Sequence, residues 1–155
     1  MFPPSLSVDS QDAGVNSPPA ILAVRNDQQE LPPGETVVFT ATQASELINL
    51  TLLDTDVGDT LYVRVFVDYT LADPTPARAS CTSAPPVPSS SQRSVSCDVS
   101  AVCGTGDVNK PPFNMTIVVF DRPILDSGTP TFQAMDPGGL KTSLFFFLSC
   151  KAAAS

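Results

Sequence analysis

The sequence predicts an all-β fold, an antiparallel β-sandwich of seven to eight strands braced by disulfides. Three observations predict it. Proline is abundant, 16 in 155 residues, and recurs in pairs between apolar runs (Pro18-Pro19, Pro32-Pro33, Pro85-Pro86, Pro111-Pro112). Inside a helix each would cost about 3 kcal/mol, so the pairs punctuate strands instead. Apolar residues, 42% of the chain, fall into short segments of period two separated by turn residues, the pattern of a sandwich. Four cysteines occur with no CxxC pair and no histidine anywhere, which favours disulfides over zinc.

Residues 1–19 mix Pro, Ser, Asp and Gly without a period and are expected to form a disordered leader or linker. The folded unit is expected over residues 20–151, with 152–155 a tail that resembles a cloning scar. The first strand is placed at 20–25, followed by a turn at Leu31-Pro32-Pro33-Gly34. The second, 36–42, sets Val37, Phe39 and Ala41 on one face, and 46–54 gives a third. Alternation is clearest at 61–69. There Leu61, Val63, Val65, Val67 and Tyr69 point to the core, and Tyr62, Arg64, Phe66 and Asp68 point away. Two readings of this second face stand: a surface on which Arg64 lies over its aromatic neighbours, or a partner-binding face.

Further strands are expected at 77–82 and 94–99, running back beside each other as a hairpin, and at 114–120 and 142–150, the centre of the sheet. The long connection between the last two carries turn chemistry at Asp126-Ser127-Gly128 and Asp136-Pro137-Gly138-Gly139. In the last strand Leu144, Phe146 and Leu148 share one face and Phe145 and Phe147 the other, so both faces need cover from a loop or another molecule.

Cys81, Cys97, Cys103 and Cys150 are separated by 15, five and 46 residues and allow three pairings. The hairpin would set Cys81 opposite Cys97. The last strand ends beside the start of its neighbour, near Cys103, so Cys103–Cys150 is the preferred second bridge. In the loop-entropy model the two contribute roughly 3 and 4 kcal/mol. Cys81–Cys150 with Cys97–Cys103 is the main competitor. Oxidised bridges would place the protein outside a reducing cytoplasm: in a periplasm, at an outer membrane surface, or secreted. An export signal, replaced here by Met1, is then expected upstream.

NSPPAI (16–21), FTA (39–41), DTDVGDTLYV (54–63) and NMTIVVFD (114–121) resemble segments of bacterial extracellular immunoglobulin-like and cadherin-like modules. Such repeats often open on Asn-x-x-Pro and carry Asp-x-Asp-Gly-Asp-x-Leu-x-Tyr. The inserted Val57, the four cysteines and the longer middle segment depart from that pattern. The resemblance implies an immunoglobulin-like sandwich. The whole is also similar to the mature part of envelope lipoproteins, which implies a lipid anchor upstream of Phe2.

Chemistry is sparse. A formal charge of -8 excludes a basic face for nucleic acid, and the absence of His removes the usual general base and the common nucleophile pairs. A serine nucleophile would need Lys110, Lys141 or Lys151, all near expected turns or ends. Asp54, Asp56 and Asp59 are spaced as calcium ligands, but as an EF-hand the loop has Asp59 where glycine belongs and Val65 where a bidentate glutamate belongs. The favoured reading is that these aspartates nucleate the turn through their own backbone; in the other, Asp121 would be a fourth ligand. Asn49-Leu50-Thr51 and Asn114-Met115-Thr116 fit the glycosylation acceptor pattern but lie within strands. No cofactor, no metal and no catalysis are expected. The expected role is a non-catalytic binding or scaffold module of the bacterial envelope. It would engage a protein or glycan through Tyr62, Arg64, Phe66 and the long loops. The alternative is a structural subunit forming homo-oligomers through Phe145 and Phe147.

Overall fold

The structure, a computed structural model, describes residues 16–27, 29–42 and 45–153, and among these it contains nine strands, one short 3-10 turn and no α-helix. Most of the expected leader, 1–15, and the end of the expected tail lie outside the described residues. The strands are β1 (Ala20–Asn26), β2 (Gln29–Glu30), β3 (Thr36–Thr40), β4 (Leu47–Leu53), β5 (Leu61–Val67), β6 (Ala79–Ser83), β7 (Gln92–Asp98), β8 (Phe113–Phe120) and β9 (Lys141–Lys151). The count exceeds the expected seven to eight because of β2. Its two exposed polar residues carry no periodic signal; Asp27, at φ 55°, folds them back so that Glu30 pairs with Arg25.

Two sheets result, in the orders β2-β1-β4-β7 and β3-β9-β8-β5-β6, and the second curls into a half-barrel. The expectation of wholly antiparallel pairing is corrected at one edge, where β3 runs parallel to β9 with Thr36 opposite Phe147. A parallel pair needs only a long connection, and the whole chain between β3 and β9 supplies it. The expected hairpin of 77–82 with 94–99 is corrected too. β6 pairs with β5 in one sheet and β7 with β4 in the other, so they face each other across the gap.

The core follows from period-two alternation. Val37, Phe39 and Ala41, Ile48, Leu50 and Leu52, Leu61, Val63, Val65 and Val67, Ile117 and Val119, and Phe146 and Leu148 are all buried between the sheets. Each large apolar side chain so buried contributes about 1.5–3 kcal/mol. Tyr69 does not join them. Asp68, at φ 54°, breaks the alternation, and Tyr69 packs on the far side of the sheet instead.

Of the three possible pairings, the structure contains Cys81–Cys97 and Cys103–Cys150, with Cα separations of 5.4 and 5.7 Å. The first bridges the two sheets along the side where β6 and β7 are edges. The second ties the segment after β7 to the end of β9. On the opposite side, between edge strands β2 and β3, a cleft of about 310 Å³ remains, lined by polar groups such as Gln29, Glu30 and Glu35.

Candidate functional site

The outer face of the five-stranded sheet is divided. Residues 121–140 fold over one half of it, with Ile124 bridging to Met135 and the Leu125 amide donating to the Ala134 carbonyl at 2.8 Å. Beneath this roof Phe66, Val118 and Phe120 form a second buried cluster, joined by Tyr62, Tyr69 and Met135. Phe66 meets Tyr69 edge to face at 5.0 Å, and the Tyr69 hydroxyl donates to the Thr131 carbonyl. Burial raises the Tyr69 pKa. Lys141 donates to Gln133 Oε1 at 2.7 Å while lying 5.9 Å from the Phe120 ring centre, and burial lowers its pKa.

The partner-binding reading of 61–69 is corrected accordingly. Phe66 is fully buried and Tyr62 half-buried, because the chain's own connection covers the face they share. Arg64, half-buried like Tyr62, lines a groove of about 240 Å³ whose other walls include Leu125, Asp126 and Phe132. Phe145 and Phe147 lie on the uncovered half. Their rings meet edge to face at 4.9 Å and stay 41% and 39% exposed. Val38, 50% exposed, faces outward on the adjacent edge strand, two positions from the residue opposite Phe147. An apolar strip therefore runs over β9 and β3, and β3 is the edge strand of this sheet among the described residues.

A second constellation forms at one end of the molecule, where the β4–β5 turn meets the exit of β8. One carboxylate oxygen each of Asp54, Asp56 and Asp59 lies within 4.8 Å of the others. The Asx turn expected from sequence is present: Asp54 Oδ1 accepts the Asp56 amide at 2.9 Å. Asp56 Oδ2 accepts the Ser17 amide at 2.8 Å, which anchors the start of the described chain. Asp121, also buried, holds the roof at its base. Its Oδ1 accepts the Leu140 amide at 2.7 Å and its Oδ2 accepts Asn16 Nδ2, which also donates to the Gly138 carbonyl.

The cluster is electrostatically loaded. Desolvation raises the pKa of Asp54, helped by Asp59 and Asp56 and opposed by the Asp56 amide and Arg93. Desolvation raises Asp59 as well, with Asp56 and Asp121 adding and Arg122, 3.9 Å from its Oδ1, opposing. Arg93 is 6% exposed. Its Nη1 donates to the carbonyls of Asp59, Ser83 and Ala84, while its Nε and Nη2 have no partner among the described residues.

Of the acceptor asparagines, the first stands apart from both places and the second borders the open half of the outer face. Asn49 is exposed on β4, taking a hydrogen bond from Ser96, and Asn114 is exposed on β8 with Phe147 opposite it. The link from Asp121 to Asn16 escapes sequence reading because it joins residues more than a hundred positions apart, and the roof because it closes over a strand whose Tyr69 lies 62 positions from Thr131. A signal existed in the turn residues of 121–140, which describe a loop that folds back on itself. Compared with known proteins, the chain matches no protein-family model and no curated sequence, so the reading of its function rests on these two places.

Proposed function

We propose that the protein is a non-catalytic, extracytoplasmic binding or scaffold module of immunoglobulin-like type, working at the bacterial envelope by contact with a protein or glycan. The single observation that carries this reading is the strip of Val38, Phe145 and Phe147, 39–50% exposed on a sheet whose other half is roofed. A face that covers half its aromatics and leaves the rest in water has a use for the remainder. The groove beside Arg64 and Phe132 adds a cation and a ring for a polar ligand. Two disulfides support an oxidising compartment. The lack of any histidine supports a role without catalysis.

Self-assembly is the second reading, favoured by the same strip lying next to a strand edge left unpaired among the described residues, since such an edge is a template for another copy. Light scattering across a wide concentration range, paired with glycan-array and envelope-protein crosslinking, tests both. A monomer with a ligand signal lost in the Phe145→Ser, Phe147→Ser double variant supports the contact module. Concentration-dependent oligomers lost in that variant support the subunit. A monomer that binds nothing, with or without the phenylalanines, defeats both.

A further inference from the structure

We propose that the groove between the roof and the segment leading into β6 binds the carboxy-terminal residue of a partner polypeptide, one ending on an apolar side chain, with Arg64 taking the free carboxylate. The inference rests on the reading of the protein as a contact module and names a partner chemistry for its groove. The space, about 240 Å³, is walled by Ala77, Ile124, Leu125 and Phe132, and Arg64 and Asp126 supply its charged groups. Ala77 and Ile124 also pack on the Phe66 cluster, so two of the walls are held in place by the roofed core.

The first support is an arginine without a partner. Arg25 faces Glu30, Arg78 pairs with Asp107 at 2.9 Å, Arg93 donates to three carbonyls and Arg122 lies beside Asp59. Arg64 has no carboxylate, carbonyl or aromatic face against it among the described residues; the cation that does sit over a ring is Lys141, on Phe120. A guanidinium presents its donors in a planar fork that matches a carboxylate. In a chain of formal charge -8, this half-buried cation forms no ion pair even with Asp126 of the same groove, which leaves its fork open to an anion from outside.

The second support is Phe132. Its backbone is left-handed, at φ 65°, and its ring is 41% exposed. Of the other non-glycine residues with positive φ, Asp27, Asp68 and Asn109 are types that tolerate it, and Thr42 donates its hydroxyl to the Ala41 carbonyl. A bulky ring in that conformation is strained, and a ring left partly in water forgoes burial. The fold gains from neither, whereas the groove gains a wall. Its composition then selects the ligand. A plain fatty carboxylate would bring its anion near Asp126 with no donor to offer that side chain, and a sugar acid would find no hydroxyl partners on walls of Ala77, Ile124 and Leu125. A peptide end supplies a carboxylate for Arg64, an apolar side chain for the walls and a backbone N–H for Asp126. The volume, below the roughly 300–1,000 Å³ of sites for drug-sized molecules, suits one terminal residue.

The test uses the full chain and fluorescent Gly-Ser-Gly-Ser peptides extended by a final Leu, Val or Phe, each as the free acid and as the carboxy-terminal amide, followed by anisotropy. At least one free acid should bind, and its amide should bind roughly tenfold more weakly, having lost the charge that meets the fork. Arg64→Gln should weaken the free acid by roughly tenfold or more and erase the difference between acid and amide, with Tm near the wild type because the guanidinium holds nothing else in place. If that variant fails to fold, Arg64→Lys decides: it keeps the charge, loses the fork and should narrow the same difference. Phe132→Asn should weaken binding yet melt at or above the wild type, since Asn accepts left-handed backbone. A ring with a structural role alone predicts the reverse, a lower Tm and unchanged binding. Equal binding of acid and amide, or no binding of any peptide at millimolar concentration, overturns the site. Octanoate binding as tightly as the peptides overturns the assignment to a polypeptide end. Envelope-protein crosslinks that persist in Arg64→Gln and vanish in the Phe145→Ser, Phe147→Ser variant would defeat the groove and leave the contact module standing on its strip.

Discussion

The roofed and open halves of the five-stranded sheet's outer face are written in similar residues and have opposite fates. Tyr62 and Phe66 on β5, with Val118 and Phe120 on β8, lie under residues 121–140; Phe145 and Phe147 on β9, with Val38 on β3, do not. Strand pairing makes the two halves one surface, since Thr116 sits opposite both Phe66 and Phe145. The difference lies in the reach of one connection, pinned at its base by Asp121. An outward-facing aromatic is therefore core or contact surface according to what crosses it, and its own strand does not decide which.

The largest expected effect breaks the roofed half. Phe66→Ala should cost about 3–5 kcal/mol, because the ring is fully enclosed and the cavity cannot collapse against a sheet. Urea unfolding measures it. A loss under about 1 kcal/mol would mean that the roof does not pack on the sheet in solution.

Next comes the hinge of the roof. A Cβ at Gly139 would stand 2.8 Å from Arg122 Cγ and 3.0 Å from Met135 Sδ, so Gly139→Ala should cost about 1–3 kcal/mol. Amide exchange should then quicken across 121–140 while β8 and β9 keep their protection. Equal protection throughout would show that the loop absorbs the methyl without lifting.

Smaller still, Tyr69→Phe removes only the hydroxyl that donates to the Thr131 carbonyl. It should cost about 0.5–1.5 kcal/mol and leave the ring stack on Phe66 in place. Near-ultraviolet circular dichroism close to wild type, with a lowered urea midpoint, is the expected pair of readings. The open half should yield least: Phe145→Ser with Phe147→Ser should shift stability by about 1 kcal/mol or less, mainly the lost edge-to-face contact. A loss comparable with that of Phe66→Ala would make these rings core and remove the basis of the contact reading.

Much of the inward-facing half of the fold was legible. Val37 and Phe39, the odd-numbered residues of 61–67, and Phe146 and Leu148 are where alternation places them, because which side of a strand a residue occupies is a property of its immediate neighbours. The acidic turn was equally legible as an acidic turn. What could not be read were relations between distant segments: β3 parallel to β9, β6 and β7 in different sheets, the cover over Phe66, and Asn16 bonded to Asp121. Tyr69 shows how little suffices, since one left-handed residue, Asp68, moved it from the predicted core to the other side of the sheet.

By itself the order of residues determined that this chain would be all-β, which side chains each strand would turn inward, and that four cysteines without histidine would be structural. Only the tertiary structure decided which outward aromatics would be hidden and that Oδ2 of Asp54 and of Asp59 would be buried without a donor among the described residues. Alternation acts over two residues and is carried in the local backbone. Cover and charge neutralisation depend on which remote segments arrive, and that is settled only when the whole chain has closed on itself.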